Sequence, residues 1–180
     1  MELATARLRL DALHPGDAAT LFVYRADPRV SRYQGWRPGS VEAAREFIER
    51  QQGVVFDTPD SWFQFAIRWR DSAELAGDLG LHFVGRDTVE LGISLAPSWQ
   101  GKGLAAEALA AVLGLAFGEL GRHRAFASVD PRNTPCVRLL AGLGMRQEAH
   151  FRESFRDGDA WADDAIYAVL AREWRARAAG

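Results

Sequence analysis

The segment SWQGKGLAAEAL, residues 98–109, joins a flexible loop directly to the start of a strong helix. The first backbone N–H groups of a helix lack partners, and the helix dipole adds partial positive charge there. Gly101 and Gly103 permit a positive φ and let a ligand approach the backbone, while Lys102 supplies a mobile cation. These features predict a cradle for a diphosphate, although a plain tight turn into a helix would use the same two glycines.

Strand and helix patterns lie on both sides of this loop. Alternating or aromatic-rich runs predict strands at residues 7–13, 62–69, 75–85, 88–97, 124–130, 145–155 and 160–170. Helical spacing and capping residues predict helices from Pro15, after Ser40, over about 104–120, over 133–144 and at 171–174. The segment 28–39 contains two prolines and two glycines, and is expected to form a loop.

The connections between the predicted strands indicate how they pair. Strands 62–69, 75–85 and 88–97 are joined by short links, which favours antiparallel neighbours. The helix between strands 88–97 and 124–130 makes a crossover, so these two strands are expected to be parallel. The sequence therefore predicts a single α/β (α+β) domain over residues 1–180, with one mixed, mostly antiparallel twisted sheet and helices on both faces.

The composition argues against several classes of function. The formal net charge of −2 is unlike that of a protein with a broad nucleic-acid interface. One cysteine excludes an internal disulfide and a cysteine-based metal cluster, and four scattered histidines argue against a zinc site. No apolar run approaches the roughly 20 residues that span a membrane, and the N-terminus lacks a signal-peptide pattern. We therefore expect a cytoplasmic protein with no metal and with no nucleic-acid or membrane partner.

Several motifs in a fixed order indicate a family. Residues 100–105, QGKGLA, match the pattern Q/R-x-x-G-x-G/A and follow a strand that contains ELGISL. The segments AFGELGRHRAFASVDPRNTPCVRLLAGLGMR (116–146) and FRDGDAWADDAIYAVLAREW (155–174) continue the pattern. Together they resemble the GNAT N-acetyltransferase superfamily, in the branch that contains the bacterial ribosomal-protein alanine N-acetyltransferases. The resemblance implies the GNAT fold and transfer of an acetyl group from acetyl-CoA, as co-substrate, to an amine acceptor.

The resemblance also implies which residues bind acetyl-CoA. The diphosphate loop of the family falls on Gln100, Gly101, Lys102, Gly103, Leu104 and Ala105. The preceding strand is expected to splay from its parallel neighbour, so that the pantetheine arm lies along Ile93, Ser94 and Leu95. Asn133 falls on the asparagine that contacts this arm in the family, and it is also a suitable N-cap for the helix that follows.

The candidate catalytic residues are Glu90, Cys136 and Tyr167. Glu90 is the candidate general base, because a charged residue between Val89 and Leu91 on a central strand needs a reason to be there. A glutamate held in a salt bridge would fit that position equally well. Cys136 and Tyr167 are candidate proton donors for the departing thiolate, although a structural cysteine and a packing tyrosine are simpler interpretations. Many members of the family have serine where this chain has Cys136.

The acceptor and the oligomeric state are left open. Tyr33 and Trp36, in the predicted loop, are candidate acceptor-binding residues, although ordinary packing aromatics would also fit. The family acetylates protein N-termini and small amines, and its members often form homodimers. Two alternatives remain: a GNAT fold that binds acetyl-CoA as a sensor without turnover, and a dinucleotide-binding oxidoreductase, for which GKGLAA (101–106) and Asp130 supply a partial motif.

Overall fold

The computed structural model describes residues 1–178, and its elements follow the order expected from the sequence. The strands are β1 (Leu3–Ala4), β2 (Leu8–Ala12), β3 (Trp62–Trp69), β4 (Leu75–Val84), β5 (Thr88–Leu95), β6 (Arg124–Val129), β7 (Arg146–Asp157) and β8 (Ala160–Leu170). The helices are α1 (Ala18–Ala26), α2 (Pro28–Ser31), α3 (Val41–Gln52), α4 (Leu104–Phe117), α5 (Thr134–Gly142) and α6 (Ala171–Ala178). None of these helices is both long and apolar enough to cross a membrane.

The eight strands form one sheet in the order β1-β2-β3-β4-β5-β6-β8-β7. Its neighbouring strands are antiparallel except for β5 and β6, which are parallel. Short links make hairpins of β3, β4 and β5, whereas α4 carries the chain across the sheet from β5 to β6. The predicted sheet is therefore confirmed. A mostly antiparallel sheet does not suit the dinucleotide-binding alternative, which needs parallel βαβ units.

Helices cover both faces of the sheet, as predicted. On one face, α1 and α3 bury Leu21, Tyr24, Ala44 and Ile48 in a cluster that includes Ala66 of β3. On the other face, α4 packs against the opposite side chains of the central strands, among them Phe65, Leu79, Leu81 and Leu91. Because side chains alternate along a strand, the two faces of β3, β4 and β5 carry different sets of side chains. One set packs against α4. The other set includes Ala66 and Leu75, which belong to the cluster of α1 and α3.

The structure differs from the sequence prediction in three local details. The two-residue strand β1 was not predicted, because two residues carry no periodic signal. The segment expected to be a loop begins with the short helix α2, in which Pro28 follows Asp27, and the Asp27 side chain accepts a hydrogen bond from the Arg29 amide at 2.8 Å. Helix α4 ends at Phe117 rather than near residue 120, and Gly118 follows it.

Candidate active site

The parallel strands β5 and β6 are paired over only part of their length. The register runs from Thr88 opposite Arg124 to Glu90 opposite Phe126 and then stops, although β5 continues to Leu95. Strand β6 likewise continues to Val129, and it stays paired with β8 along its whole length. The sheet therefore contains a fork that opens beyond Glu90. The splayed pair expected from the resemblance is present.

The alternation of peptide groups shows which part of β5 faces this fork. The Ala96 amide donates to the Ala76 carbonyl at 2.9 Å, so the peptide groups of Ser94 also face β4. Those of Ile93 and Leu95 consequently face the fork. The Gln100 side chain donates to the Leu95 carbonyl at 2.9 Å, which ties the loop that follows to this strand edge.

The loop before α4 has the backbone that the glycines were expected to provide. Gly101 and Gly103 have φ values of 72° and 76°, in the left-handed region, and Gly103 is the N-cap of α4. Within the described chain, none of the six amides of residues 101–106 donates a hydrogen bond to another protein group. Six free donors at the start of a helix form a concentrated site for an anion.

Arg7, which the sequence analysis did not identify, also lies at this loop. Its guanidinium donates to the Lys102 carbonyl at 3.0 Å and to the Glu107 carboxylate at 2.7 Å. The Lys102 ammonium lies 5.0 Å from the centre of the Trp99 ring. Two cations therefore lie near the free amides. Burial raises the pKa of Glu107, but the hydrogen bonds from Thr5 and Arg7 outweigh it and leave the pKa below its ordinary value.

A cleft of about 710 Å³ passes through the fork and connects the two faces of the sheet. On the face covered by α4 and α5 it is lined by Leu109, Asn133, Cys136 and Leu140. On the face covered by α1 and α3 it is lined by residues that include Tyr33, Trp36, Trp62, Gln64 and Glu90. A donor and an acceptor that approach from opposite faces can thus meet between the parted strands.

Asn133 and Cys136 lie together at the start of α5. The Asn133 side-chain oxygen accepts a hydrogen bond from the Cys136 amide at 3.3 Å, which confirms the N-cap interpretation. This contact uses the oxygen of Asn133 and leaves its NH₂ group without a protein acceptor among the described residues, and the residue lines the cleft. Burial raises the pKa of the Cys136 thiol to about 11, so the thiol is protonated near neutral pH.

Glu90 lies at the branch point of the fork, on the face opposite α4. Its carboxylate is 3.0 Å from Nδ1 of His82, which is its direct neighbour on β4. The His82 ring in turn stacks on Trp62 of β3, with ring centres 4.7 Å apart and planes 8° apart. Glu90 therefore has a partner on the neighbouring strand, and it also lines the cleft.

The cleft wall on the face covered by α1 and α3 rests on a buried polar network. Asp78 of β4 is fully buried and accepts hydrogen bonds from Tyr24 at 2.5 Å, from Arg25 and from Gln64. Arg25 and Gln64 line the cleft, and the Arg25 guanidinium lies 5.6 Å from the centre of the Trp36 ring. Burial raises the pKa of Tyr24, and the charge of Asp78 raises it further.

The structure does not bring every candidate residue to the cleft. Tyr167 is buried in the core, does not line the cleft, and donates its hydroxyl to Gln147 at 3.1 Å, as expected of a packing tyrosine. The side chains of Ser94 and Leu104 are also buried away from the cleft. Tyr33 and Trp36 both line it, and Trp36 stacks on Phe47. Within residues 1–178, no group of three or more His, Cys, Asp or Glu side chains could hold a metal ion.

Three elements of the site escaped the sequence analysis: Arg7, the His82–Glu90 pair and the Asp78 network. Asp78 had a signal, since an acidic residue within the otherwise apolar strand LAGDLGL must find a buried partner. His82 and Glu90 are equally far from the short link of a predicted hairpin, so their pairing was also within reach. The Arg7 contact joins residues 95 positions apart, for which periodicity gives no signal.

Comparison with known proteins agrees with this geometry. The model of the family described as Acetyltransferase (GNAT) domain matches residues 7–146. The uncharacterized N-acetyltransferase YnaD of Bacillus subtilis strain 168 is 31% identical over 175 residues, which cover 97% of this chain and 99% of that protein. The [ribosomal protein uS5]-alanine N-acetyltransferase of Escherichia coli K12 is 29% identical over 181 residues, which cover 97% of this chain and 93% of that enzyme.

A solved structure extends the comparison to three dimensions. An acetyltransferase of the GNAT family from Bacillus anthracis superposes with a TM-score of 0.87 and is 29% identical in sequence. The superposition covers 96% of this chain and all of that one, so the agreement extends over the whole fold.

Proposed function

The chain belongs to the acetyltransferase (GNAT) family, and we propose that it transfers an acetyl group from acetyl-CoA to a primary amine by direct attack of the amine on the thioester. The observation that carries this proposal is the fork between β5 and β6, which has a loop of six free amides at its open end. An enzyme that joins two substrates needs a passage in which they meet, and the cleft through the sheet provides one.

The residues of the fork suit two parts of coenzyme A, the diphosphate and the pantetheine arm. The amides of residues 101–106, with Lys102 and Arg7 beside them, suit the diphosphate. The outward peptide groups of Ile93 and Leu95 suit the amides of the pantetheine arm, in the manner of an added strand. Asn133 can donate to the same arm from the start of α5. Bound acetyl-CoA supplies the activated acetyl group, and the chain positions that group at the branch point of the sheet.

We assign Glu90 as the general base. A primary amine is mostly protonated at neutral pH and must lose a proton before it can attack a carbonyl carbon. Glu90 lines the cleft at the point where β5 and β6 part, and its carboxylate can accept that proton directly or through a water molecule. The outward-facing peptide edge of β5 beyond Glu90 can donate a hydrogen bond to the oxygen on which negative charge develops.

Neither candidate proton donor is assigned that role. Tyr167 lies outside the cleft. Cys136 lines it, but a thiol whose pKa is about 11 is a weaker acid than an ordinary thiol, so passing its proton to a departing thiolate would run uphill. We therefore propose that solvent protonates coenzyme A as it leaves, and that Cys136 fills the cleft wall.

Tyr33, Trp36 and Trp62 form an aromatic wall on the acceptor side, next to the acidic group of Glu90. An aromatic wall beside a carboxylate suits an amine that carries apolar carbon, as at a protein N-terminus or in a small organic amine. The relative from Escherichia coli is named for an alanine of ribosomal protein uS5, which makes peptides that begin with alanine the first acceptors to test.

The test is acetyl transfer itself, followed with labelled acetyl-CoA and by release of free thiol. The panel contains peptides with different N-terminal residues, polyamines and other small amines. We expect at least one acceptor to be labelled, and Glu90→Gln to lower kcat by about 10² to 10⁴-fold with little change in acetyl-CoA affinity. Glu119→Gln, in the exposed turn after α4, is the matched control. Binding of acetyl-CoA without transfer to any acceptor would favour the sensor alternative.

A further inference from the structure

Three side chains form a row across adjacent strands on the acceptor face of the sheet. Trp62, His82 and Glu90 are direct neighbours in the register of β3, β4 and β5, so they project from the same face. Trp62 stacks on His82, and His82 contacts Glu90 through Nδ1 at 3.0 Å. The contact with Glu90 thus uses one of the two ring nitrogens of His82.

The two partners of this contact face different surroundings. Glu90 lines the cleft, whereas His82 does not, although 23% of its side chain is exposed. His82 can therefore hold the Glu90 carboxylate without occupying the space that a substrate needs. A fixed carboxylate matters because the base must lie within hydrogen-bond reach of the amine.

The charged groups around His82 are few. On the neighbouring strand β5 the group is Glu90, and on β3 the neighbour is the neutral ring of Trp62. Beyond Glu90 in the same row lies Phe126, with the Arg124 guanidinium 5.7 Å from its ring centre. Arg124 is paired with Glu148. Asp60, near the end of β4, binds the Gly85 amide. Glu90 is thus the direct acidic partner of His82 among the described residues.

We propose that His82 is a positioning residue for Glu90, a role that rests on the proposed function of the cleft. Nδ1–H of His82 donates to the Glu90 carboxylate and holds it at the branch point. The carboxylate lone pairs that this hydrogen bond leaves free can take the proton of the attacking amine. The resulting carboxylic acid then gives that proton to water, which restores the carboxylate, while the proton on Nδ1 stays in place.

Two variants separate this role from a structural one. His82→Ala removes the ring and leaves space in which a small heterocycle can bind. His82→Phe keeps an aromatic ring on Trp62 but has no nitrogen to face Glu90. We expect both variants to lower kcat by at least about tenfold, because the base is no longer held in place. Acetyl-CoA affinity and acceptor KM are expected to stay within about twofold of the wild type.

Chemical rescue supplies the decisive readout. Added imidazole is expected to restore much of the kcat of His82→Ala but none of that of His82→Phe. Thiazole, which has the shape of imidazole but no N–H to donate, is expected to restore neither. Equal rescue by thiazole, or a wild-type rate in His82→Phe, would show that the ring serves packing alone and would overturn the positioning role.

The Glu90→Gln variant distinguishes the two proposals. A wild-type rate in His82→Ala together with a large loss in Glu90→Gln would overturn the role of His82 and leave the base in place. A wild-type rate in Glu90→Gln would overturn the assignment of the base and the positioning role together. If both residues act in one step, the double variant loses no more than Glu90→Gln does alone.

Discussion

The guanidinium of Arg7 donates a hydrogen bond to the backbone carbonyl of Lys102 at 3.0 Å, which holds the segment before β2 against the loop before α4. Glu107, one turn into α4, strengthens this junction by accepting from the Arg7 amide at 2.8 Å and from the Thr5 hydroxyl at 2.6 Å. The proposed diphosphate site therefore depends on a part of the chain that lies far from it in sequence.

Arg7→Gln is expected to weaken coenzyme A binding about tenfold, since a supporting hydrogen bond and a nearby cation are lost together. The measurement is calorimetric titration of coenzyme A. Arg9→Gln is the matched control, because Arg9 lies two residues further along, in β2, and pairs with Asp11 instead of contacting the loop. An equal loss of affinity in the two variants would contradict the assignment of Arg7.

Gly103→Val is expected to abolish measurable coenzyme A binding and to leave the fold largely intact. A Cβ at residue 103 finds open space except for the Arg7 side chain 3.6 Å away, but the φ of 76° is unfavourable for valine, so the loop must change. Gly85→Val is the control: its φ of 58° imposes a similar strain on the β4–β5 turn. Calorimetry should show normal affinity in Gly85→Val, and near-normal affinity in both would remove the loop from the proposed site.

Gly92→Val is expected to raise the acceptor KM at least about fivefold while coenzyme A affinity stays unchanged. A Cβ at residue 92 meets no atom within 4 Å, and the residue lines the cleft beside Glu90, so the new side chain occupies acceptor space without strain in the fold.

Gly80→Ala is the contrasting variant, because Gly80 on β4 is the direct register partner of Gly92 on β5. Its Cβ would lie 2.9 Å from the Trp62 ring and 3.0 Å from the Gln64 side chain, so this variant should lose thermal stability. Steady-state kinetics and thermal unfolding distinguish the two effects. An unchanged acceptor KM in Gly92→Val would place the acceptor elsewhere.

Asp78→Asn is expected to lower the free energy of unfolding by about 3–5 kcal/mol, because it leaves the Arg25 guanidinium buried without its counter-charge. Denaturant unfolding followed by circular dichroism measures the change. Asp27→Asn is the control, since its partner Arg29 is exposed and asparagine is also a good N-cap. The prediction fails if the two substitutions have similar effects.

Alkylation of Cys136 is expected to accelerate about tenfold per pH unit between pH 7 and pH 10, because only the thiolate reacts and the folded pKa is about 11. The unfolded protein should instead level off near the ordinary thiol value of 9.0. The chain has one cysteine, so iodoacetamide reports on this site alone. A plateau by pH 9 in the folded protein would contradict the shift.

The same shift has a consequence for stability. A thiol whose pKa is raised by folding remains protonated in the folded state while the unfolded chain already ionises. The contribution of Cys136 is therefore fully present below pH 9 and is lost as the pH rises toward 11. Cys136→Ala should remove this part of the alkaline destabilisation.

The sheet and the loop could be predicted from the sequence because both depend on local patterns. Strand β3 matches its predicted range, 62–69, since alternation and aromatic residues mark it clearly. Gly101 and Gly103 have the backbone expected of them because few other residues tolerate a positive φ. Tyr167 shows the limit of such patterns. Alternation predicts which face of β8 its side chain occupies, but it does not predict how far that side chain lies from the cleft. That distance depends on how six helices pack against both faces.

The fork also makes the strand edge at Ile93 and Leu95 a reporter of whether coenzyme A is bound. In a continuous sheet these amides would exchange slowly with deuterated solvent, because a neighbouring strand would protect them. Here β6 turns away, so they should exchange quickly in the free protein and slow down by orders of magnitude when the pantetheine arm takes the place of the missing neighbour. Isotope exchange at these two amides would then measure, without any assay of turnover, how much of the enzyme has coenzyme A bound.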